Sequence, residues 1–345
     1  MLRWRLEALR GNGRVNITKE SQENNMMIKK KIVTSLVAAA LVATSAATLA
    51  GGVPKDLPYP SSGDLTADEI AQQVYFVNHF YAMKNYAIVK KGKKITTLVL
   101  RAKGDKPTTI TLERFLNNDY PADDPIKAQD LAIFRSGKLR GTGMLVTDYN
   151  DDNKSQSYMI WLPALRKIRR FAQPAHDDAW GGSDFTFGDV VLRKPKHETH
   201  ELLGKETFDD CLGALDVPKE QQGRYTRNLR GPACDFKGKE VYKLKSTTKF
   251  KNWWYDYRIS YVDTKTFADY RTEYFKDGNK IKVLDRYWLD SPLDDPRAQF
   301  WGYWYGKNLV TGHETFANIP DGVSVANGDF PRKLWSEQTL RKIKR

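Results

Sequence analysis

The stretch that decides the fold reads YMIWLPALRKIRRF over residues 158–171 and GSDFTF over residues 182–187. It opens with a run of aromatic and apolar residues that stops at Pro163, which is typical of a β-strand. Residues 165–171 predict a second, basic strand, and a polar loop leads from it to the glycine-containing segment. The sequence therefore predicts a pair of strands followed by a defined loop.

Similar runs occur on both sides of this stretch, separated by Gly, Pro or polar residues, and aromatic residues make up 12% of the chain, which favours strands. They cover residues 95–100, 109–116, 129–136, 140–149, 156–162, 241–249, 254–263, 267–276, 280–289 and 299–311. Ten or more strands with almost no intervening helix predict a mainly β fold, in which one antiparallel sheet curls into a barrel or half-barrel.

One helix is predicted before the strands. Thr66 and Glu69 match a capping box, in which the two side chains satisfy backbone N–H groups at the start of a helix. Apolar residues then recur at helical spacing and predict an amphipathic helix over residues 66–83. The stripe consists of Ile70, Val74 and Val77, followed by Tyr81.

Residues 1–50 have the layout of a cleaved secretory signal. Three lysines at 29–31 precede an apolar run at 32–43 and small residues at 44–50. The apolar run is short for a bilayer span, so an uncleaved anchor is the weaker reading. We interpret the residues before Met26 as an upstream extension, and we expect an exported, periplasmic protein.

The remaining chain divides into a linker at 51–64, a single domain at 65–335 and a basic tail at 336–345. Hydrophobic residues make up 40% of the chain, which allows a sizeable core and excludes a disordered chain. The net charge is +14, and it remains positive without residues 1–50. This charge indicates either a solvated basic surface or attraction to anionic lipid or an acidic partner. Without a recognisable binding motif, we expect no nucleic-acid partner.

Cys211 and Cys234 are the two cysteines of the chain. Two cysteines exclude a four-cysteine zinc site and a disulfide-dense scaffold. In an oxidising compartment the pair favours a disulfide across a polar excursion, with two unpaired thiols as the alternative.

The pattern Y-x-x-W-L-P-A-L-x-K-x-R-R, followed by G-S-D-F-T-F-x-D, resembles the LolA-like family of outer-membrane lipoprotein-sorting proteins. The resemblance covers roughly residues 65–335, and residues 207–235 depart from it as an insertion. It implies a half-open antiparallel barrel with a helical lid, whose apolar concave face shields acyl chains from water. It also implies two partners, an inner-membrane transporter of the resistance-nodulation-division type and an outer-membrane acceptor.

Aromatic strands and the helix stripe are the candidate lipid-binding residues, although aromatic residues are also common in ordinary cores. Strand alternation predicts that the members of each aromatic set share one face. The candidates are Ile70, Val74 and Val77 of the helix, Trp253, Tyr255 and Tyr257 of one strand, and Trp301, Tyr303 and Tyr305 of another.

We assign the quoted stretch a structural or gating role rather than a catalytic one. Its candidate residues are Trp161, Pro163, Arg169, Arg170, Gly182, Ser183, Asp184 and Phe185. The two arginines either pair with Asp184 or Asp189 and fix the loop, or remain solvated.

Signals of an enzyme are weak, and we expect neither a cofactor nor a metal. The G-x-S-x-G elbow, the P-loop and the dinucleotide fingerprint are all missing. His197 and His200 lie in strand-like sequence, which would turn them to opposite faces of a sheet. The sequence therefore predicts a periplasmic lipid or lipoprotein carrier. The alternatives are a transporter adaptor that carries nothing and, less favoured, a periplasmic hydrolase.

Overall fold

The computed structural model describes residues 52–61 and 63–343. The predicted signal segment therefore lies outside the described residues. Within them, no helix combines the length and the apolar character needed to cross a membrane.

The described residues form two α-helices and fifteen β-strands. The helices are α1 (Ala67–Asn78) and α2 (Glu337–Arg341). The strands are β1 (Asn85–Ile88), β2 (Thr96–Arg101), β3 (Thr108–Asn117), β4 (Ile126–Phe134), β5 (Gly143–Tyr149), β6 (Ser157–Leu162), β7 (Lys167–Phe171), β8 (Glu198–Phe208), β9 (Lys239–Thr248), β10 (Tyr257–Asp263), β11 (Asp269–Lys276), β12 (Asn279–Asp290), β13 (Gln299–Asn308), β14 (Glu314–Asn318) and β15 (Ser324–Ala326).

All strands belong to one antiparallel sheet, in the order β7-β6-β5-β4-β3-β2-β14-β13-β12-β11-β10-β9-β8, while β1 pairs with β3 and β15. Within the described residues the sheet does not close, since β7 and β8 are its two edges. The prediction of a mainly β, half-open barrel with a helical lid is confirmed.

Helix α1 begins where its capping box predicts. The Glu69 backbone N–H donates to Thr66 Oγ1 at 3.3 Å, and the Thr66 N–H donates to a Glu69 carboxylate oxygen at 2.8 Å. The helix ends at Asn78, earlier than predicted, because Phe80 adopts a positive φ of 55° that turns the chain.

The two faces of the sheet are covered by different segments. We call the face that carries α1 and residues 176–195 the inner face, and the opposite one the outer face. On the outer face, residues 209–238 cover the sheet near β11–β13, where Phe236 stacks on Tyr270 with ring centroids 3.9 Å apart.

The chain end covers the outer face of β4–β7. The Trp335 indole N–H donates to the Phe115 carbonyl at 2.7 Å, and Leu340 is fully buried. Helix α2 therefore lies within the predicted basic tail and packs on the sheet.

Two further segments lie against the domain. A disulfide joins Cys211 to Cys234 within residues 209–238. Near the start of the described chain, Val53 is buried, and the Lys55 ammonium donates to the carbonyls of Asn118 and Tyr120 at 2.8 and 3.0 Å. Residues 53–55 of the predicted linker thus contact the sheet.

Candidate functional site

The segment Gly188–Leu192, a single π-helical turn, lies on the inner face of the sheet. It is anchored by Asp189, whose buried carboxylate accepts hydrogen bonds from Lys282 Nζ at 2.7 Å, the Tyr274 hydroxyl at 2.5 Å and Arg193 at 2.8 Å. Burial opposes ionisation of Asp189, but Lys282 and Arg193 hold its pKa well below the usual value. The turn is therefore fixed to β11 and β12 by a charged contact.

A second buried ion pair lies under α1. Glu198 of β8 accepts two hydrogen bonds from the Arg258 guanidinium of β10, at 2.9 and 2.6 Å. Burial would raise the pKa of Glu198, but Arg258 lowers it to about 2. Tyr255 adds a third hydrogen bond to the same carboxylate at 3.1 Å.

A third pair links Asp269 of β11 to Arg286 of β12, and both side chains are almost fully buried. Asn78, the last residue of α1, donates to the other Asp269 oxygen at 3.0 Å. The inner face of β8–β12 is thus a strip of paired charges that holds the helix and the π-helical turn in place.

The GSDF segment is tied to the strands on the other side of this strip. Asp184 accepts hydrogen bonds from His313 Nδ1 at 2.5 Å and from the Thr315 hydroxyl at 2.7 Å. Phe185 is buried with its ring 5.5 Å from that of Trp304, and a Cβ on Gly306 would approach the Phe185 ring to 2.8 Å. Gly306 therefore makes room for Phe185.

Next to Phe185 lies an apolar cleft of about 490 Å³, part of it open to solvent. Its wall includes Leu98, Leu112, Trp180, Val190, Trp304 and Ala317.

A neighbouring cavity of about 440 Å³, part of it open to solvent, combines apolar walls with polar groups. Among the described residues, four side-chain oxygens of residues at this cavity are buried without a hydrogen-bond partner. They are Asn78 Oδ1, the Tyr81 hydroxyl, Asn118 Oδ1 and Asp148 Oδ1. Buried oxygens of this kind favour a donor group or water in the cavity. Arg114, paired with Asp130 at 2.7 Å, borders both this cavity and the apolar cleft.

A third pocket, of about 600 Å³, lies between α1 and the charged strip. Val190 borders all three spaces, and His79 borders the second and the third. Burial lowers the pKa of His79 to about 3, so its ring is neutral at neutral pH. The π-helical turn thus divides the inner face into separate compartments.

The predicted grouping of Trp301, Tyr303 and Tyr305 is wrong. Tyr303 pairs with Tyr287 and Trp301 with the next residue, Trp288, so Gly302 is a β-bulge that breaks the alternation. Trp301 therefore joins Trp304 at the inner cleft. Tyr303 and Tyr305 lie on the outer face, where both rings contact Phe316.

The second predicted aromatic set is also split. Strand β10 begins only at Tyr257, whose ring stacks on Phe275, on the opposite face from Arg258. Trp253 and Tyr255 precede the strand, where local strand alternation does not apply, and neither borders the apolar cleft.

Ile70 and Val77 are buried and Val74 is half-buried, and of the three only Val74 borders one of the pockets described above, the one above the charged strip. Ile70 and Val77 pack in the core. Their role in binding a ligand stays a prediction.

Of the two alternatives for Arg169 and Arg170, pairing with Asp184 or Asp189 is wrong, and exposure to solvent is what the structure has. Both arginines are exposed on the edge strand β7, and Arg170 contacts Glu337 of α2 at 3.3 Å. Trp161 packs with the outer cluster around Trp335, and Pro163 opens the turn between β6 and β7. Asp184 instead accepts a hydrogen bond from His313, which is distant in sequence. Asp189 pairs with the distant Lys282 and with the nearby Arg193.

Sequence reasoning missed Leu98, Leu112, Val190 and Ala317 of the cleft. Residues 96–100 read TTLVL and lie in a strand covered on both faces, so alternation does not mark the inward side chain. In the part of the chain that the structure describes, no group of three or more His, Cys, Asp or Glu side chains is placed to hold a metal ion.

An antiparallel sheet of this order, open at both edges within the described residues and covered on its inner face by a helix, is an open half-barrel. Residues 127–342 match the sequence model of a family described as "-like: Uncharacterized protein", and the chain belongs to that family. Among curated protein sequences, none matches the chain.

Two solved structures share the fold. One is a putative outer membrane lipoprotein-sorting protein domain from Vibrio parahaemolyticus, 16% identical, with a TM-score of 0.57 over 80% of this chain and 98% of that one. The other is a DUF1329 family protein from Desulfovibrio piger, 14% identical, with a TM-score of 0.56 over 79% and 98%. The resemblance found in the sequence is thereby confirmed for the fold.

Proposed function

We propose that the protein is a periplasmic carrier that binds the acyl chain of a lipid or lipoprotein on the inner face of its sheet. The observation that carries the proposal is the apolar lining of the cleft beside Val190. Each methylene moved from water into such a cleft contributes about 0.8 kcal/mol, so an acyl chain can bind there without any catalytic group.

The cavity next to the cleft suits the polar end of the same ligand. Its unpartnered oxygens on Asn78, Asn118 and Asp148 accept hydrogen bonds, while Arg114 lies at the boundary with the cleft. A ligand lying across both spaces would bury its chain and satisfy these oxygens together. An amphiphile with hydroxyl or amine donors fits this arrangement best.

Ligand entry requires a movement of the π-helical turn that costs little free energy. Val190 separates the cleft from the other two spaces, and it belongs to a single turn fixed mainly through Asp189. Displacing this turn would join the compartments into one groove. We propose that loading and release shift the turn between the two positions.

In this proposal the carrier collects its ligand at an inner-membrane transporter of the resistance-nodulation-division type and delivers it to an outer-membrane acceptor. These partners come from the family resemblance in the sequence. No catalytic step is part of the proposal.

The test is lipid extraction and native mass spectrometry on protein purified without strong detergent, comparing wild type with Ala317→Phe. Ala317 lines the cleft on β14, so the larger ring fills space that the acyl chain would occupy. Wild type is expected to carry an acyl species, and A317F to lose most of it and to bind cis-parinaric acid, a fluorescent fatty acid, at least about tenfold more weakly.

Ala317→Ser is the matched control, because it leaves the cleft nearly unchanged in volume. It is expected to bind like wild type. A folded A317F protein that binds the fatty acid as well as wild type would contradict the assignment of the cleft.

A further inference from the structure

Three connecting segments of the first half of the sheet are rich in cations. Residues 90–94 carry Lys90, Lys91, Lys93 and Lys94. Residues 135–142 carry Arg135, Lys138 and Arg140. Residues 163–167 carry Arg166 and Lys167. All nine side chains are exposed, and the three segments contain no Asp or Glu.

Strand registers bring these segments to one level of the sheet. Phe134 pairs with Leu112, Gly143 pairs with both Ile133 and Trp161, and Leu162 pairs with Lys167. The turns after β4 and after β6 therefore project side by side.

Glu113 places the lysine loop at the same level. It accepts the Lys90 backbone N–H at 2.9 Å and the Arg135 guanidinium at 2.5 Å. Five strand spacings separate β1 from β7, which spreads the cations over about 24 Å. We call this surface, formed by residues 90–94, 135–142 and 163–167, the basic rim.

The carboxylates near the basic rim leave it strongly positive. Glu113 is engaged by Arg135, and the Asp321 carboxylate pairs with Arg230, while Lys94 donates to the Asp321 carbonyl. Leu165, 54% exposed, stands at the tip of the last turn as an apolar side chain among cations.

We propose that the basic rim docks the protein onto an anionic membrane surface. Clustered Lys and Arg side chains on a surface are attracted to anionic lipid headgroups, and an exposed apolar side chain among them adds insertion into the interface. The cations lie on three separate exposed segments, which suits a broad charged surface better than one shaped partner. The inference does not depend on whether the inner face binds an amphiphile.

The test is co-sedimentation of the full chain with phosphatidylcholine vesicles that contain or lack phosphatidylglycerol, at low and high salt. We expect binding only to the anionic vesicles, weakened by salt through screening. The variant K90Q/K91Q/K93Q/K94Q is expected to bind at least about tenfold more weakly, since four cations are removed. L165S is expected to bind about twofold to fivefold more weakly.

A charge-matched control is K219Q/R224Q/R227Q/K237Q, which removes four exposed cations from residues 209–238 on the outer face. It is expected to bind the anionic vesicles within about twofold of wild type. Equal losses in both four-site variants would reduce the effect to net charge and overturn the proposal. A wild-type protein that does not bind anionic vesicles would also overturn the proposal. If such a protein instead binds poly-glutamate through the basic rim, the result would indicate an acidic protein partner.

Discussion

Beneath α1, the inner face of β8–β12 carries buried charges in pairs, whereas the inner face of β2, β3, β13 and β14 carries apolar side chains around a cleft. In the first region Glu198 pairs with Arg258 and Asp189 with Lys282. In the second region Leu98, Trp304 and Ala317 border open space.

The two regions of the inner face therefore suit different roles, one in anchoring the covering segments and the other in contacting an apolar ligand. Buried ion pairs tolerate little displacement, because removing one partner leaves an uncompensated charge. They therefore suit the anchoring of the helix and the π-helical turn. The apolar region contains no buried ion pair that displacement would break. Replacing water there by an apolar ligand is favourable in free energy.

The largest effect is expected when the charged region is broken. Replacing Glu198 by Gln leaves the Arg258 guanidinium buried without its counter-charge, and we expect a loss of about 3–5 kcal/mol in the free energy of unfolding. Denaturant unfolding monitored by tryptophan fluorescence measures it.

Glu201→Gln is the control on the same strand, β8, because Glu201 pairs with Lys245 of β9 at an exposed position. It is expected to cost less than about 1 kcal/mol. Similar losses for E198Q and E201Q would show that the inner pair does not anchor the fold.

A smaller, pH-dependent effect is expected at the boundary between the regions, at His79. Its folded pKa is about 3, against roughly 6.5 for an unfolded histidine. Between these values the unfolded chain binds one more proton, so stability falls as pH falls, by up to about 1.4 kcal/mol per pH unit.

Histidine 79 contacts the Tyr75 carbonyl at 2.9 Å, and His79→Gln keeps a hydrogen-bonding side chain without the titration. H79Q should therefore lose this part of the slope of unfolding free energy between pH 4 and 6.5. Identical slopes of unfolding free energy against pH for wild type and H79Q would assign the acid sensitivity to other residues. His176→Gln is the comparison, because burial also lowers the pKa of His176.

Features encoded within a few residues were predictable from the sequence, and features set by register or distance were not. The capping box of Thr66 and Glu69 correctly predicted the start of α1, since the two residues are three apart. Most strands agree to within two or three residues, as with β3 and β12.

The bulge at Gly302 puts Trp301 on the opposite face of the sheet from Tyr303 and Tyr305, because strand alternation holds only while the register is continuous. Likewise, Asp189 meets Lys282 across 93 residues, a pairing that only the folded sheet brings about. The cleft-lining residues of β2 could not be predicted from strand alternation, because both faces of this strand are buried.

The most direct test of the central claim is photo-cross-linking with a diazirine-bearing palmitic acid, followed by peptide mass spectrometry. We expect labels on inner-face residues around the cleft, such as Leu98, Trp180 and Val190, with few on β8–β10, and loss of these labels in A317F. Labels confined to the charged region, or to exposed outer residues such as Val310, would contradict it.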